Sequence, residues 1–339
     1  MKMRNGLFLL GVGVSAMIAA RAQARNRRAI SLLHRVVVIT GGSRGLGLVM
    51  ARQFAARGAN LALVARDADE LARAQESLYD YGVEVMTVTC DVTDKVQAEA
   101  MIAQVLERFG EIDILVNNAG TIQVGPMEEM TLADYENAMQ IHYWAPLYTS
   151  LAVLPEMRKR RSGRIVNIAS IGGKISVPHL LPYSASKFAL VGLSEGMRSE
   201  LAKDNVFVTT VCPGLMRTGS HINAKFKGQH RAEYALFSIG DSLPFTSVNA
   251  KSAAEQIITA CKYGDAELTI SLPAQAAEKF HALFPSATAD LFGFANRFLP
   301  GPGGIGTEQV SGSESQSVLA PSVLTALSDE VVLDNNEAV

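Results

Sequence analysis

The stretch "RVVVITGGSRGLGL", residues 35–48, decides the fold. It opens with an apolar, β-branched run, which predicts a buried strand. Gly41, Gly45 and Gly47 follow, and the chain then takes on a helical period. Glycine lets a backbone bend sharply and approach a phosphate, and a helix that begins there offers free N–H groups to a diphosphate. The stretch therefore predicts a strand, a nucleotide-binding turn and a helix, which together open a βαβ unit.

The same alternation of strands and helices continues along the chain. Further apolar runs predict strands at 60–65, 84–90, 112–117, 163–169 and 206–212, with a candidate seventh strand at 267–272. Stretches with a helical period lie at 45–57, 67–81, 94–109, 131–160, 181–203 and 252–263. Such an alternation predicts an α/β fold built on a doubly wound parallel sheet.

Composition excludes several classes of protein. The chain has 339 residues and a net charge of −2, which argues against nucleic-acid binding. Cys90, Cys212 and Cys261 lie far apart and form no CxxC pair, so neither a disulfide framework nor a zinc site is expected. No cluster of metal-ligand residues appears, and no metal is predicted.

Charge and composition divide the chain into four segments. Residues 1–33 contain basic residues and no acid, and they precede the predicted α/β domain at 34–275. Residues 276–300 have an amphipathic helical pattern, for which packing on the domain or on a partner subunit is favoured over contact with a membrane surface. Residues 301–339 contain acids and no base, show no clear period and are expected to be largely disordered.

Residues 6–20, "GLFLLGVGVSAMIAA", form an uncharged apolar run. The run is short for a membrane span, which needs about 20 apolar residues, although snorkelling of Arg4 and Arg21 would lengthen it. Three interpretations remain open: a single membrane anchor, which is favoured, a helix packed on the domain, and a cleaved signal ending near residues 22–24. Basic residues at 21–28 follow the run and place the body of the protein on the cytoplasmic side.

The end of the second predicted strand indicates which nucleotide binds. A fold of this kind that takes NAD usually places Asp or Glu there, against the ribose 2′-OH. Here Ala65 is followed by Arg66, while Arg44 lies in the glycine turn. Because a guanidinium binds phosphate through a two-pronged fork, the two arginines suit a 2′-phosphate. NADPH is predicted over NADH, although Asp67 would favour NADH and solvated arginines remain an alternative.

The segment "PHLLPYSASKFALVG", residues 178–192, carries Tyr183 and Lys187 four positions apart. On a helix these side chains lie one above the other. An ammonium beside a phenol favours the phenolate and lowers the phenol's pKa. In isolation, an ordinary helix that carries both residues is the simpler interpretation.

Together the motifs resemble the short-chain dehydrogenase/reductase family over residues 35–272. The family's motifs are matched by "TGGSRGLG" (40–47), "DVT" (91–93), "NNAG" (117–120), "YSASK" (183–187) and "PG" (213–214) with Thr218. Ser170 precedes Tyr183 by 13 residues, as the family's serine does. The resemblance implies a Rossmann fold and an oxidoreductase that uses a nicotinamide nucleotide.

The resemblance also implies the roles of individual residues. Tyr183 would donate the proton in ketone reduction, Lys187 would lower its pKa and hold the nicotinamide ribose, and Ser170 would hydrogen-bond the substrate oxygen. The implied cofactor-binding residues are Gly41, Ser43, Arg44, Gly45, Leu46, Gly47, Arg66, Asp91, Val92, Asn117, Ala119, Gly120, Tyr183, Lys187, Pro213, Gly214 and Thr218.

One position departs from the family's pattern. Many members carry an Asn in the long helix after the fourth strand, where it positions a water between the lysine and solvent. Here "MQIHYWAP", residues 139–146, places His142 at that point. A histidine ring also exchanges hydrogen bonds with water, so a surviving relay is favoured over a broken one. His142 is therefore a candidate catalytic residue, and its replacement by Asn is expected to leave activity similar or better.

The segment that covers the substrate in this family is apolar here, which favours a hydrophobic carbonyl such as a lipid, acyl-chain, steroid-like or isoprenoid ketone. The expected pocket residues are Phe226, Tyr234, Leu236, Phe237, Leu243 and Phe245, with Val177, Leu180 and Leu181 on the near side. Two other functions remain open: an NAD(P)-linked alcohol dehydrogenase acting oxidatively, and a non-catalytic nucleotide-binding scaffold. A homo-oligomer formed through the helices at 131–160 and 181–203 is expected, because such contacts are common in the family.

Overall fold

A computed structural model describes residues 19–243, 247–322 and 325–338. Its strands are Val36–Thr40 (β1), Asn60–Ala65 (β2), Val85–Thr89 (β3), Ile114–Asn117 (β4), Gln123–Val124 (β5), Gly163–Ile168 (β6), Val206–Pro213 (β7), Leu215–Arg217 (β8), Lys225–Phe226 (β9), Ser247–Asn249 (β10), Glu267–Ile270 (β11) and Val310–Ser311 (β12). Seven of them form one parallel sheet in the order β3-β2-β1-β4-β6-β7-β11. The predicted doubly wound sheet is confirmed, and its strand order reverses between β1 and β4, where such folds bind ligands.

Helices cover both faces of the sheet. They are residues 19–27 (α1), Gly45–Ala55 (α2), Ala68–Glu76 (α3), Lys95–Phe109 (α4), Leu132–Met139 (α5), Ala145–Arg160 (α6), Leu181–Leu201 (α7), His230–Ser242 (α8), Ala250–Tyr263 (α9), Leu272–Leu283 (α10), Pro285–Ala295 (α11) and Ala326–Asp329 (α12). Alternate residues of β1 serve the two faces: Val37 and Ile39 pack in the cluster of α2 and α9, and Val36 and Val38 in that of α4 and α6.

The helix expected over residues 131–160 is interrupted. A π-helical turn over Gln140–Trp144 separates α5 from α6. Pro146 explains the break, because it has no N–H to donate to the carbonyl of His142 and the α-helical ladder cannot run through this turn. The turn directs the side chain of His142 towards α7.

The acidic tail differs from its expectation of disorder. In the described part of 301–338, β12 pairs with β9, and Ala320 packs in one buried cluster with Phe226 and Tyr234. The helix α12 lies on α8. The tail is held mainly by hydrogen bonds from polar side chains and backbone groups, so it shows no apolar period that sequence reasoning could have detected.

The predicted anchor lies almost wholly outside the described residues, since only its last two positions fall in α1. Among the described helices, none has both the length and the apolar character needed to cross a bilayer. The helix α1 is tied to the domain through Arg25, whose guanidinium donates twice to the carboxylate of Asp265, each bond 2.7 Å long.

Candidate active site

The glycine turn after β1 has the shape of a phosphate cradle. Gly41 and Gly45 have left-handed φ angles of +63° and +55°, and a Cβ at Gly47 would collide with the carbonyl of Gly41. Asn118 braces the turn by donating from Nδ2 to the carbonyl oxygens of Thr40, at 3.1 Å, and Gly41, at 3.0 Å. The backbone comes this close, with N–H groups at the start of α2, as a dinucleotide diphosphate requires.

Arg44 and Ser43 of this turn bind Glu70, an acidic residue that the sequence analysis did not predict at this site. Arg44 Nη1 lies 2.8 Å from Glu70 Oε1, and Ser43 Oγ donates to Glu70 Oε2 at 2.8 Å. Asp67 caps α3 by accepting the N–H of Glu70, whereas Arg66 is exposed. Glu70 is one turn into α3, and only the folded chain shows that it faces the glycine turn.

The motif residues that follow β3 and β4 lie in different surroundings. Asp91 forms a turn with the N–H and hydroxyl of Thr93, next to the buried Val92. Ala119 lies against the glycine turn, 3.0 Å from where a Cβ of Gly41 would be. Gly120 is exposed beside them.

Asn117 does not line the cleft as expected. Its Nδ2 donates to Asn167 Oδ1 at 2.9 Å, and its Oδ1 accepts the hydroxyl of Thr149 at 2.7 Å. The buried carboxamide therefore ties β4 to β6 and α6. The motif "NNAG" alone could not show which of its two asparagines faces the nucleotide site.

On the far side of the cleft, Pro213 ends β7 and Gly214 donates its N–H to the carbonyl of Ile270 at 3.1 Å. Thr218 is buried, and its hydroxyl donates to Ser220 Oγ at 2.8 Å. Leu46 is buried within α2 and contributes to the core under the glycine turn.

Ser170, Tyr183 and Lys187 come together between β6 and α7. The side chains of Ser170 and Tyr183 lie side by side: a Cβ at Gly172 would lie 3.2 Å from Tyr183 Cε1 and 3.4 Å from Ser170 Oγ. Lys187 Nζ is 5.6 Å from the centroid of the Tyr183 ring and donates to the carbonyl of Ile168 at 2.8 Å.

Burial has the largest effect on the pKa values of Tyr183 and Lys187. It raises the pKa of Tyr183 to about 12, although the nearby Ser170 hydroxyl acts to lower it, and it lowers the pKa of Lys187 to about 7. The Tyr183 pKa is therefore raised in this structure, and not lowered as the pairing with Lys187 led us to expect. Asp241 of α8, which sequence reasoning missed, also raises the pKa of Tyr183, and burial raises the pKa of Asp241 itself to about 7.

His142 is 1% exposed and has a protein partner at each ring nitrogen. Nε2 accepts the N–H of Thr121 at 3.3 Å, which assigns the proton to Nδ1, and Nδ1 lies 2.8 Å from Ser186 Oγ. Ser186 in turn donates to the carbonyl of Tyr183. Burial first, then the charge of Lys187, holds the pKa of His142 well below its usual value.

These contacts favour a positioning role for His142 over the expected water relay. With both nitrogens engaged, the neutral ring links the loop at Thr121 to α7 and packs edge-on against Tyr183, with the centroids 5.3 Å apart. The relay was inferred from the position of His142 in the helix, and the π-helical turn that directs its ring became visible only in the fold.

The aromatic residues expected to line the substrate pocket form a small core. Phe226 and Tyr234 are fully buried against each other and against Ala320 of the tail, and Phe237 packs on this cluster. Leu236 and Leu243 are exposed, and Phe245 lies outside the described residues. Core and pocket aromatics look alike in sequence, so composition could not separate them.

Comparisons with known proteins bear on the family and the fold. The short chain dehydrogenase family profile matches residues 35–227. A mouse 3-ketodihydrosphingosine reductase is 38% identical over 182 residues, which cover 52% of this chain and 55% of that protein.

Two solved structures share the fold. L-sorbose reductase from Gluconobacter frateurii, solved with NADPH and L-sorbose, has a TM-score of 0.64 and 28% identity, covering 71% of this chain and 97% of that one. A short-chain dehydrogenase from Streptomyces avermitilis has a TM-score of 0.66 and 31% identity, covering 78% of this chain and 99% of that one.

Proposed function

The chain belongs to the short-chain dehydrogenase family and is an NAD(P)-dependent oxidoreductase of small-molecule carbonyl compounds, and we propose that it reduces a hydrophobic ketone to an alcohol with NADPH. The observation that carries this proposal is the contact of Ser170, Tyr183 and Lys187 beside a glycine-rich nucleotide turn.

The chain's own residues supply the proton and hold the carbonyl. A bound nicotinamide nucleotide supplies the hydride. The Ser170 hydroxyl hydrogen-bonds the carbonyl oxygen as charge develops there, and Tyr183 donates its phenolic proton to that oxygen. The ammonium of Lys187 stabilises the phenolate that remains.

The preference for NADPH rests on Arg44 and Arg66. Arg66 is exposed and free to approach a 2′-phosphate, while the Asp67 carboxylate is engaged in capping α3. Arg44 must exchange Glu70 for the phosphate. We expect kcat/KM to be at least about tenfold higher with NADPH than with NADH, and Arg66→Ala to remove most of that difference while sparing NADH. A ratio near one in the wild type would overturn the preference.

The hydrophobic substrate is supported by similarity to a 3-ketodihydrosphingosine reductase. The decisive experiment offers a panel of carbonyl compounds, from sugar-like ketones to long-chain and polycyclic ones, and follows NADPH consumption. Long-chain or polycyclic ketones should react fastest. A higher rate with a sugar-like ketone such as L-sorbose would refute this substrate class.

Two alternative functions predict different results in the same panel. An oxidative alcohol dehydrogenase would turn over alcohols with NAD⁺ faster than ketones with NADPH. A nucleotide-binding scaffold would bind the nucleotide without consuming it in the presence of any compound in the panel.

Membrane association is supported by the apolar run at 6–20 and by exposed aromatics on α10, α11 and the turn that follows. The exposed side chains are Phe280, Leu283, Phe284, Leu291, Phe294 and Phe298. We propose an N-terminal anchor that leaves the domain on the cytoplasmic side. Deleting residues 1–18 should move the protein from the membrane to the soluble fraction, and a full-length protein that is already soluble would refute the anchor.

A homo-oligomer is supported by exposed apolar side chains on α6 and α7, among them Leu151 and Phe188. Light scattering should give at least twice the mass of one chain. Leu151→Glu with Phe188→Glu should return it to one chain, and an unchanged mass would exclude this interface.

A further inference from the structure

The last residues of the chain lie in the place where a dinucleotide's diphosphate is expected. The backbone N–H of Gly45, at the start of α2, donates to the carbonyl of Asn335 at 2.9 Å. Across the cleft, Asn335 Nδ2 donates to the carbonyl of Thr218 at 2.9 Å. The tail thus bridges the two walls that the glycine turn and the segment after β7 form.

An acidic side chain occupies the cradle itself. The carboxylate of Glu337 lies against Gly45, where an added Cβ would collide with it, and 3.6 Å from Arg44 Nε. Glu337 is 7% exposed, and Asn223 Nδ2 donates to its Oε2 at 2.7 Å. The carboxyl group of Glu337 therefore lies where a phosphate group of the cofactor would meet the glycine turn and Arg44.

Asn336 fixes the tail to the glycine turn. Its Nδ2 donates to the carbonyl oxygens of Ser43, at 2.9 Å, and Glu70, at 3.1 Å, and its Oδ1 accepts from Arg73 at 2.8 Å. Asn336 has a left-handed φ of +57°, which Asn tolerates better than most residues do.

The tail is held in the cleft by polar contacts, which water can replace, so its docking is reversible. Leu333, the large apolar side chain in the middle of this stretch, is 73% exposed, and the contacts named above are hydrogen bonds and one ion pair. Such bonds contribute little net free energy, because water replaces them when the tail leaves. A tail held in this way can be displaced by a ligand that binds the same groups more tightly.

We propose that residues 332–338 are an internal competitor of the cofactor: docked, they fill the diphosphate site, and they must leave before NADPH binds. The inference rests on the proposed function, because it takes the glycine turn as the cofactor's site. A tenfold preference for the docked form would raise the apparent Kd for NADPH about tenfold.

The test compares full-length variants by calorimetric titration with NADPH at about pH 5, where docking of the tail is strongest. Asn335→Ala with Asn336→Ala removes the side-chain bonds to both walls and should lower the Kd about tenfold. Leu333→Ala is the matched control, because its exposed side chain lies in the same stretch, and its Kd should stay within about twofold of the wild type. Hydrogen exchange of the wild type should show residues 325–338 losing protection, and residues 41–47 gaining it, when NADPH is added.

The outcomes separate the two claims. Equal Kd values with a tail that stays protected would overturn the internal competitor alone, and a higher Kd in the double variant would make the tail part of the cofactor site. If neither NADPH nor NADH binds any of the proteins, the proposed function and the competitor both fall. Hydrogen exchange of the wild type tests the internal competitor even if the double variant does not fold.

Discussion

The two ends of the cleft are built differently. At the end that we propose donates the proton, Ser170, Tyr183 and Lys187 come from the end of one strand and from the helix that follows it in the chain. At the nucleotide end, the glycine turn meets the tail, and Asn336 bonds to Ser43, which lies 293 positions earlier. The first end is set by local structure and the second by the last residues of the chain, so substitutions at one end should leave the other largely unchanged.

The largest expected effect tests this separation at the proton-donating end. Tyr183→Phe removes the proton donor and keeps the ring, so turnover should fall about 10²- to 10⁴-fold while the Kd for NADPH is unchanged. Tyr79→Phe is the control, because Tyr79 is 85% exposed and its variant should match the wild type. Near-normal turnover in Tyr183→Phe would refute the assignment.

The next effect concerns the pH profile of the same end. Burial lowers the pKa of Lys187 to about 7, so its ammonium predominates below that pH and is lost as the pH rises through it. Tyr183 keeps its proton up to about pH 12. The value of kcat/KM for ketone reduction should therefore fall about tenfold per pH unit above pH 7.

Asp241 supplies the control for this profile, because its pKa is also raised to about 7. Asp241→Asn removes that second titration and should keep the alkaline fall. A profile in the wild type that stays level to about pH 9 would contradict the role of Lys187.

A smaller effect probes the nucleotide end. Burial raises the pKa of Glu337 from 4.5 to about 7, and the negative charge of Glu70 raises it further, whereas the positive charge of Arg44 lowers it. Two other arginines, Arg52 and Arg73, contact the neighbouring tail residues. The docked tail therefore binds a proton that the free tail releases, so docking is strongest at low pH and weakens as the pH rises from 4.5 to about 7.

Glu337→Gln removes this dependence, because the amide stays neutral at every pH. The wild type and Glu337→Gln should bind NADPH equally below about pH 5, and above pH 7 the wild type should bind it about tenfold more tightly. Titrations at several pH values measure the ratio of the two Kd values. A ratio that does not vary with pH would show that Glu337 does not titrate in the docked tail.

The smallest effect concerns His142, which links the loop at Thr121 to α7 through Ser186. In His142→Asn the shorter amide can still reach Ser186 but not the N–H of Thr121, and His142→Gln should do the reverse. We expect turnover to fall only a few-fold in either variant, with the pH profile unchanged. A shift of the alkaline limb of the pH profile in both variants would support the water relay over the positioning role.

Much of the fold follows from local pattern. The β-branched runs predicted the strands of the central sheet to within about two residues at each end, because a buried parallel strand needs an unbroken apolar run. The helix over 131–160 was predicted without its break, because the prediction followed the helical period and gave no weight to Pro146, which lies in the middle of that range and lacks the N–H that an α-helix needs.

The sequence by itself determined the α/β alternation, the glycine turn and the Tyr183–Lys187 pair, since each depends on residues close together in the chain. Only the tertiary structure decided that Asn117 faces inward, that Glu70 faces Arg44, and that His142 has both nitrogens engaged. It also decided that the acidic tail bonds to the glycine turn at Gly45 and to Thr218 across the cleft. Those contacts join residues far apart in the chain through polar bonds, and polar bonds leave no periodic trace in a sequence.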